Sequence, residues 1–197
     1  MTAPAKPIAA LYVETGGAYF GLEGVEPWGE ARDARLYAGP WPVVAHPPCS
    51  SWCQLAPINA KRYGHAVGDD GGCFAAALDA VLRFGGVLEH PARTYAWARH
   101  GLPRPPRYGW ANVTSFAWVC EVSQRAYGHP ARKLTWLLYV GRMPPFELDW
   151  SRPEPIAQVS YCANHGNSPL PRVAKKAAAR TPAAFRDTLI ALARGAT

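Results

Sequence analysis

Two side chains with reactive potential lie where predicted β-strands end. Cys49 closes a Pro-Pro-Cys loop directly after an apolar run over residues 42–45, and Glu89 ends a second apolar run over residues 86–89. Consecutive prolines cannot continue a strand, so the chain must leave the sheet there with a restricted backbone. A thiol held in one direction suits a nucleophile, and a nearby carboxyl group can act as an acid or hold a hydrogen bond. The sequence therefore predicts a reactive centre on the loop from His46 to Cys49.

Apolar runs and helical patterns alternate along the chain, which determines the fold class that we expect. Strands are predicted over residues 8–13, 42–45, 86–89 and 134–140, and helices over residues 73–84, 114–126 and from the N-cap Thr181, with Pro182 in the first turn, to Arg194. Residues 50–72, 92–112 and 142–172 should be mainly loop, the last of these being rich in proline. This alternation predicts one α/β domain with a largely parallel sheet. The strand ends carrying Gly16-Gly17, Cys49 and Glu89 should then meet at one edge.

Composition narrows the class of protein. The chain has 197 residues, 49% of them hydrophobic, a net charge of +7 and a pI of about 9.3. No apolar run approaches the roughly 20 residues that cross a bilayer, and the N-terminal residues lack the apolar core of a signal peptide. Five irregularly spaced cysteines argue for free thiols in a reducing compartment. We therefore expect a cytoplasmic protein with no membrane partner, and the basic charge favours an anionic partner, nucleic acid first.

The order of these short motifs resembles that of the DNA cytosine-C5 methyltransferases. Pro47-Pro48-Cys49 is followed by Leu88-Glu89-His90-Pro91, after a strand that ends in Gly16-Gly17. The stretch from Tyr127 to Lys133, Tyr-Gly-His-Pro-Ala-Arg-Lys, is similar to the family's Tyr-Gly-Val-Pro-Gln-x-Arg, and Gly166-Asn167-Ser168 resembles its late Gly-Asn motif. The resemblance spans residues 8–172 and is patchy between motifs.

The resemblance implies a fold, a reaction and roles for individual residues. The fold would be one Rossmann-like domain over residues 1–197, shortened in its cofactor half, with a basic helical segment over residues 173–197. Cys49 would add to C6 of a flipped pyrimidine, Glu89 would protonate or hydrogen-bond N3, and Lys133 would take the place of the first motif arginine. S-adenosylmethionine would be the methyl donor. The residues implied to bind it are Tyr12, Glu14, Gly16, Gly17, Asn167 and Ser168.

Four features depart from the family pattern. Glu14 replaces a glycine where the backbone approaches the cofactor, and only Glu26, Glu30 and Asp33 could contact a ribose. The stretch between Gly17 and residue 43 has room for one crossover. His90 replaces an asparagine after Glu89, and either supports the acid chemistry, since histidine titrates near neutrality, or is a structural turn residue. No target-recognition domain precedes the Gly-Asn motif, which predicts DNA binding of low specificity.

The predicted DNA contacts are basic residues near the end of the chain. A helical spacing would put several of Arg172, Lys175, Lys176 and Arg180 on one face, and Arg132 precedes the strand over residues 134–140. The compactness of the chain would suit a bacteriophage protein that acts in the cytoplasm of a bacterial host on modified phage DNA.

Three other hypotheses stay open from the sequence. Cys49 could act on a 5-hydroxymethyl pyrimidine in DNA without S-adenosylmethionine, expelling water and leaving an electrophilic methylene for another nucleophile. The chain could instead be a degenerate methyltransferase fold that binds DNA as an accessory protein. A metal site is the third hypothesis, with His46, Cys49 and Cys53 as ligands and His65 or Cys73 as the fourth; its cysteines lack the tight pairing of structural zinc sites, so we expect no metal.

Overall fold

A seven-stranded sheet forms the centre of the protein. The computed structural model describes residues 5–64, 66–159 and 169–196. The strands run β1 Ile8–Leu11, β2 Val25–Trp28, β3 Val43–Ala45, β4 Gly86–Pro91, β5 Ala111–Thr114, β6 Ala117–Ser123 and β7 Leu134–Val140, in the order β2-β1-β3-β4-β7-β6-β5 across the sheet. The helices are α1 Ala56–Tyr63, α2 Cys73–Phe84, α3 Tyr95–Arg99, α4 Lys175–Ala179 and α5 Ala183–Arg194. The predicted α/β class is therefore confirmed.

The sheet has a parallel half and an antiparallel half. β2, β1, β3 and β4 pair in parallel, whereas β4–β7, β7–β6 and β6–β5 are antiparallel. The prediction of a largely parallel sheet thus holds for the first four strands only. The order β2-β1-β3-β4 is compatible with a Rossmann-like fold, in which consecutive strands add on opposite sides of β1. Gly86 permits the β3–β4 pairing, because a Cβ there would collide with the backbone of Val43.

Helices cover both faces of the parallel half. One core cluster packs α2, through Phe74, Ala77 and Val81, against Leu11 and Leu88. A second cluster packs α5, the C-terminal helix, on the opposite face of β1, β3 and β4, where the residues of these strands alternate with those of the first cluster. No helix connects β1 to β2 over residues 12–24. α5 therefore occupies the face that a crossover helix from this connection would otherwise cover.

The predicted helix over residues 114–126 is wrong. Residues 117–123 form β6, which lies between β5 and β7 and is buried on both faces. A strand buried on both faces shows no alternation of polar and apolar residues, so its pattern does not distinguish it from a buried helix. The residues that follow, Gln124–Tyr127, make one 3-10 turn that ends at Gly128.

Smaller differences concern loops and caps. Residues 50–72 and 92–112 contain the short helices α1 and α3 as well as loop, and residues 111–112 begin β5. The described part of the proline-rich segment has one short strand pair, Gln158–Val159 (β8) with Arg172–Val173 (β9). Thr181 does not cap the last helix: Pro182 is the N-cap, and no side chain caps its amides. No helix within the described ranges is long and apolar enough to span a bilayer.

Candidate active site

The predicted convergence of strand ends is confirmed. Leu11, Ala45 and Leu88 are aligned across β1, β3 and β4. The chain leaves the sheet at this edge after Leu11 and after Ala45, while β4 continues through Glu89 to Pro91 beside β7. The reversed direction of β7 places its first residues at this edge, and β6 ends beside them, with Ser123 opposite Leu134. The edge also lies where the chain order reverses around β1, which is where ligands bind in open α/β sheets.

Glu89 is a nearly buried carboxylate with partners on both oxygens. Its Oε2 lies 3.0 Å from His46 Nδ1, and Gln124 Nε2 donates to Oε1 at 3.2 Å. The side chains of His46 and Glu89 are 13% and 12% exposed. Burial alone would raise the pKa of the Glu89 carboxyl, but the hydrogen bond and charge of His46, then the Lys133 ammonium and His90, hold it below its ordinary value. Glu89 is therefore ionised at neutral pH and acts as a hydrogen-bond acceptor.

A hydrogen-bonded chain extends on both sides of Glu89. The Tyr19 hydroxyl lies 2.8 Å from His46 Nε2, and Tyr19 is 3% exposed. On the other side Gln124 Nε2 also donates to Thr135 Oγ1 at 3.0 Å. Because a carboxylate only accepts, the amide nitrogen of Gln124 must face it, and His46 Nδ1 must carry the hydrogen toward Oε2. These contacts fix the orientation of the Glu89 carboxylate.

Cys49 lies at the start of a tight turn beside this chain. Its carbonyl accepts the amides of Trp52 at 3.0 Å and Cys53 at 2.9 Å, and the residue is exposed. The thiol is nevertheless partly desolvated by its neighbours. This desolvation, followed by the negative charge of Glu89 and by Cys53, raises the pKa of the Cys49 thiol, and the Lys133 ammonium opposes the rise. The thiol therefore needs a base or a nearby cation to become the nucleophilic thiolate.

The Cys49 turn is anchored through Trp52. The indole Nε1 donates to Asp70 Oδ2 at 2.7 Å, and Asp70 also accepts the amides of Phe74 at 2.8 Å and Gly72 at 2.9 Å at the start of α2. The carbonyl of Trp52 accepts the amide of Tyr95 at 2.9 Å. Trp52 therefore joins the Cys49 turn to α2 and to the segment after β4.

Lys133 approaches the site from the segment that precedes β7. It adopts a left-handed backbone with φ 33°, and its Nζ donates to the carbonyls of Ala179 and Arg180, both at 3.1 Å. Burial lowers the pKa of the Lys133 ammonium, while the charges of Glu89 and Cys49 raise it. Lys133 is therefore within electrostatic range of Cys49 and Glu89, although its Nζ contacts backbone carbonyls and neither of these side chains.

The side chain of His90 lies on the opposite face of the sheet from that of Glu89. Successive residues of a strand point to opposite faces, and the His90 side chain is fully buried on the α2 face, with Nδ1 2.8 Å from Thr94 Oγ1 and its ring against Phe74. Burial lowers the pKa of His90 to about 4, although Glu89 opposes this shift. The imidazole is thus neutral at physiological pH, so the expectation that it titrates near neutrality is wrong. Its geometry is that of a structural residue.

A backbone hydrogen bond closes the turn that follows β1. Gly17 N–H donates to the Glu14 carbonyl at 2.8 Å, and a Cβ on Gly17 would lie 2.7 Å from that oxygen. Gly16 has a left-handed φ of 69° and open space around its Cα. The exposed Glu14 carboxylate lies 3.5 Å from Lys176 Nζ. The hydroxyl of Tyr12 is buried without a hydrogen-bond partner among the described residues, and burial raises its pKa.

The remaining two residues implied to bind a cofactor, Asn167 and Ser168, lie outside the described residues, as does His65 of the metal hypothesis. Within the described part of the chain no group of three or more His, Cys, Asp or Glu side chains is arranged to hold a metal ion. His46 instead contacts Tyr19 and Glu89.

The cations predicted to contact DNA do not share one helix face. α4 contains only Lys175 and Lys176, while Arg172 lies in β9 and Arg180 follows the helix. Because one helix does not extend over these four positions, the expected alignment is wrong. Arg132 lies apart from them, before β7, and forms a surface ion pair of 3.3 Å with a glutamate of the proline-rich segment.

Three residues of the site were not expected to contact Glu89. Nothing in the sequence marks Tyr19, which lies in the β1–β2 connection. The sequence pattern predicts a helix at Gln124, whereas the strand over residues 117–123 places this residue at the sheet edge. His46 was recognised as part of the loop, and its alignment one residue after Ala45 could have suggested a pair with Glu89, which follows Leu88.

The site thus combines a thiol, an oriented carboxylate, an ammonium and an imidazole at one sheet edge. This set can add a nucleophile to an electron-poor ring and exchange a proton with a ring nitrogen. No family model, no curated protein and no solved structure matches the chain.

Proposed function

We propose that this protein is an enzyme that modifies C5 of a pyrimidine base in DNA, cytosine foremost, with Cys49 as the nucleophile. The observation that supports this most is the placement of Cys49, Glu89 and Lys133 at one edge of the sheet, where Glu89 and Lys133 act on the pKa of the Cys49 thiol and Lys133 acts on that of the Glu89 carboxyl. A thiol beside a fixed carboxylate and a cation is the set that nucleophilic addition to a pyrimidine requires.

Each residue has a separate task in this reaction. The Cys49 thiolate forms a bond to C6, and the electrons of the C5–C6 double bond move into the ring as N3 gains a proton at Glu89. Lys133 favours the thiolate by its charge, in line with its effect on the pKa of Cys49. C5 then attacks an electrophilic carbon. Loss of the C5 proton and cleavage of the C6–S bond restore the double bond and free Cys49.

S-adenosylmethionine would supply the electrophilic methyl group. The turn after β1 is the surface on which it would lie, because Gly16 has open space around its backbone and the exposed Glu14 carboxylate can pair with an ammonium group. Glu30 follows β2 at the same edge, and unlike Glu26 and Asp33 it forms no ion pair within the described ranges. The residues present are therefore compatible with this donor.

One observation favours a second reaction of the same cysteine. The connection between β1 and β2 contains no helix, so the positive helix N-terminus that often faces a cofactor at this position is missing. A 5-hydroxymethyl pyrimidine needs no methyl donor. Addition of Cys49 to C6 and loss of hydroxide from the C5 substituent would leave an exocyclic methylene, which an external nucleophile attacks before Cys49 departs.

DNA is the proposed partner in both reactions, on the basis of the net charge of +7 and the base chemistry of the site. The base would be flipped out of the stack to reach Cys49. Phosphate contacts without a base-reading element predict binding that weakens steeply with salt.

The test is covalent trapping. DNA that contains 5-fluorocytosine blocks the final loss from C5, so a methyltransferase remains attached to it and intact-mass spectrometry detects the adduct. We expect an adduct that depends on S-adenosylmethionine, disappears in Cys49→Ser and persists in Cys53→Ser, a matched change four residues further along.

The other outcomes separate the candidates. An adduct only on 5-hydroxymethylated DNA, without S-adenosylmethionine, would establish the second reaction. DNA binding with no adduct on either substrate, and unchanged in Cys49→Ser and Glu89→Gln, would contradict both reactions and identify a non-catalytic DNA-binding protein.

A further inference from the structure

We infer that His46, held by Tyr19, is the positioning residue that supplies through Glu89 the proton that the base ring takes up, an inference that rests on the proposed function. The sequence singled out Glu89 as the acid. The geometry assigns the proton itself to the imidazole behind it, at 3.0 Å.

The first argument concerns the state of Glu89. The carboxylate is ionised at neutral pH and accepts a hydrogen bond on each oxygen, so at rest it has no proton to give. One of its two donors is the Gln124 amide, which does not ionise. His46 is the other, and imidazole readily takes up and releases a proton. Among the described side chains that donate to Glu89, only His46 can therefore protonate it.

The second argument concerns the far side of the imidazole. The Tyr19 hydroxyl contacts Nε2 at 2.8 Å, and the two rings lie 5.4 Å apart. Burial, followed by the charge of Glu89, raises the pKa of Tyr19 well above its ordinary value, so the phenol stays protonated. It cannot carry the proton away as a base, but it orients the ring so that Nδ1 points at Oε2. The proton of Nδ1 can then move only toward Glu89.

The proton transfer balances without another reactant. As the Cys49–C6 bond forms, N3 takes a proton from Glu89, and Glu89 takes the Nδ1 proton of the imidazolium. His46 ends as the neutral tautomer that keeps its hydrogen on Nε2 and donates it to the Tyr19 oxygen. When the C6–S bond breaks, N3 gives its proton back to Glu89 and Glu89 returns it to His46 Nδ1, so the relay regains its starting state and only the C5 proton is released.

Several charged groups influence this imidazole. Tyr19 and Glu89 contact the His46 ring directly. Charged groups on neighbouring elements interact with Tyr19, with Glu89 or with His46. These further groups are Cys49, His90, Lys133, Arg186 and Asp187.

The experiment measures the rate of adduct formation on 5-fluorocytosine DNA with S-adenosylmethionine, from mildly acidic to mildly alkaline pH. The wild-type rate should rise as Cys49 ionises and fall again at higher pH, because the relay through Glu89 needs a proton to deliver. In His46→Asn the amide can replace Nδ1 as a donor to Glu89, and in His46→Gln it can replace Nε2 beside Tyr19, but neither carries a transferable proton. Both variants should react on the order of 10²-fold more slowly and lose the alkaline fall.

A second measurement separates this role from a structural one. Imidazole added to His46→Ala should restore part of the rate, whereas a packing defect would not respond to it. His100→Asn, which removes an imidazole from the α2 face of the sheet, should keep the wild-type profile.

Two outcomes would contradict the inference in different ways. A wild-type adduct whose alkaline fall persists in His46→Asn and His46→Gln would overturn the role of His46 and leave the proposed function intact. Absence of any wild-type adduct on 5-fluorocytosine DNA would overturn the proposed methyl transfer, and the inference with it.

Discussion

Replacement of Glu89 by glutamine tests whether the site is built around an ionised carboxylate. In the wild type two donors, His46 Nδ1 and Gln124 Nε2, contact the carboxylate at 3.0 and 3.2 Å. Glutamine has the same shape, but its amide has a single oxygen, so it can accept from only one of them. His46 can adapt by shifting its hydrogen to Nε2, which lets the new amide donate to Nδ1.

The loss of stability in Glu89→Gln follows from the replacement of hydrogen bonds to a carboxylate by hydrogen bonds to an amide. A hydrogen bond to a charged group contributes about 1.5–3 kcal/mol and a neutral one about 1 kcal/mol, so two such exchanges should destabilise the fold by about 2 kcal/mol. If the imidazole cannot adapt, an unpaired buried donor remains and adds about 1–3 kcal/mol to this loss. Urea denaturation at neutral pH measures this difference. Glu154→Gln, whose side chain is 90% exposed, should change stability by less than about 0.5 kcal/mol.

Acid should erase the difference between Glu89→Gln and the wild type. The pKa of Glu89 is lowered in the folded state, so its contribution is complete above the unfolded value of about 4.3 and is lost as the pH falls through the folded value. The two unfolding free energies should therefore approach each other at acidic pH. Equal stabilities at neutral pH, or a gap that widens on acidification, would show that the buried carboxyl is neutral and refute the reasoning.

Three further predictions concern groups near Glu89 and the anchor of the Cys49 turn. His90 is buried and neutral, so stability should fall by roughly 3 kcal/mol between pH 6.5 and about 4, and urea titrations of His90→Gln should lack that loss. Lys133→Met should slow alkylation of Cys49 by iodoacetamide several-fold at fixed pH, because the thiol pKa rises further; an unchanged rate on peptide mapping would contradict this. Asp70→Asn cannot satisfy all three of its donors, so it should cost about 1–3 kcal/mol in urea denaturation and shift the fluorescence of Trp52.

The elements that the sequence predicts best are those whose burial is simple to recognise. β3, β4 and β7 begin or end within a residue or two of the predicted limits, and α2 matches residues 73–84, because a helical apolar stripe ends there at paired glycines. The limits of β1 are also close. Since Cys49 follows β3 and Glu89 lies near the end of β4, the placement of both residues at one edge of the sheet could be predicted as well.

The parts that the sequence could not predict depend on which strand lies beside which. β6 is buried on both faces only because β5 and β7 flank it, and its residues carry no sign of those neighbours. The predicted helix therefore gives no sign that Gln124 lies at the sheet edge. Tyr19 lies in an irregular connection, and its contact with His46 arises from tertiary packing alone.

The packing around Glu89 determines the part that this residue plays in the proposed reaction of Cys49. A strand-end glutamate could be an acid with a raised pKa if it were buried in apolar surroundings. Here Glu89 is almost as buried as such a residue, yet His46, Gln124 and the Lys133 ammonium oppose desolvation and keep it ionised. The carboxylate therefore orients and relays, and the proton must come from a group that can hold one. The residue that contacts the base, Glu89, is therefore not the residue that holds the proton, His46. Variants of the two residues should fail in distinguishable ways.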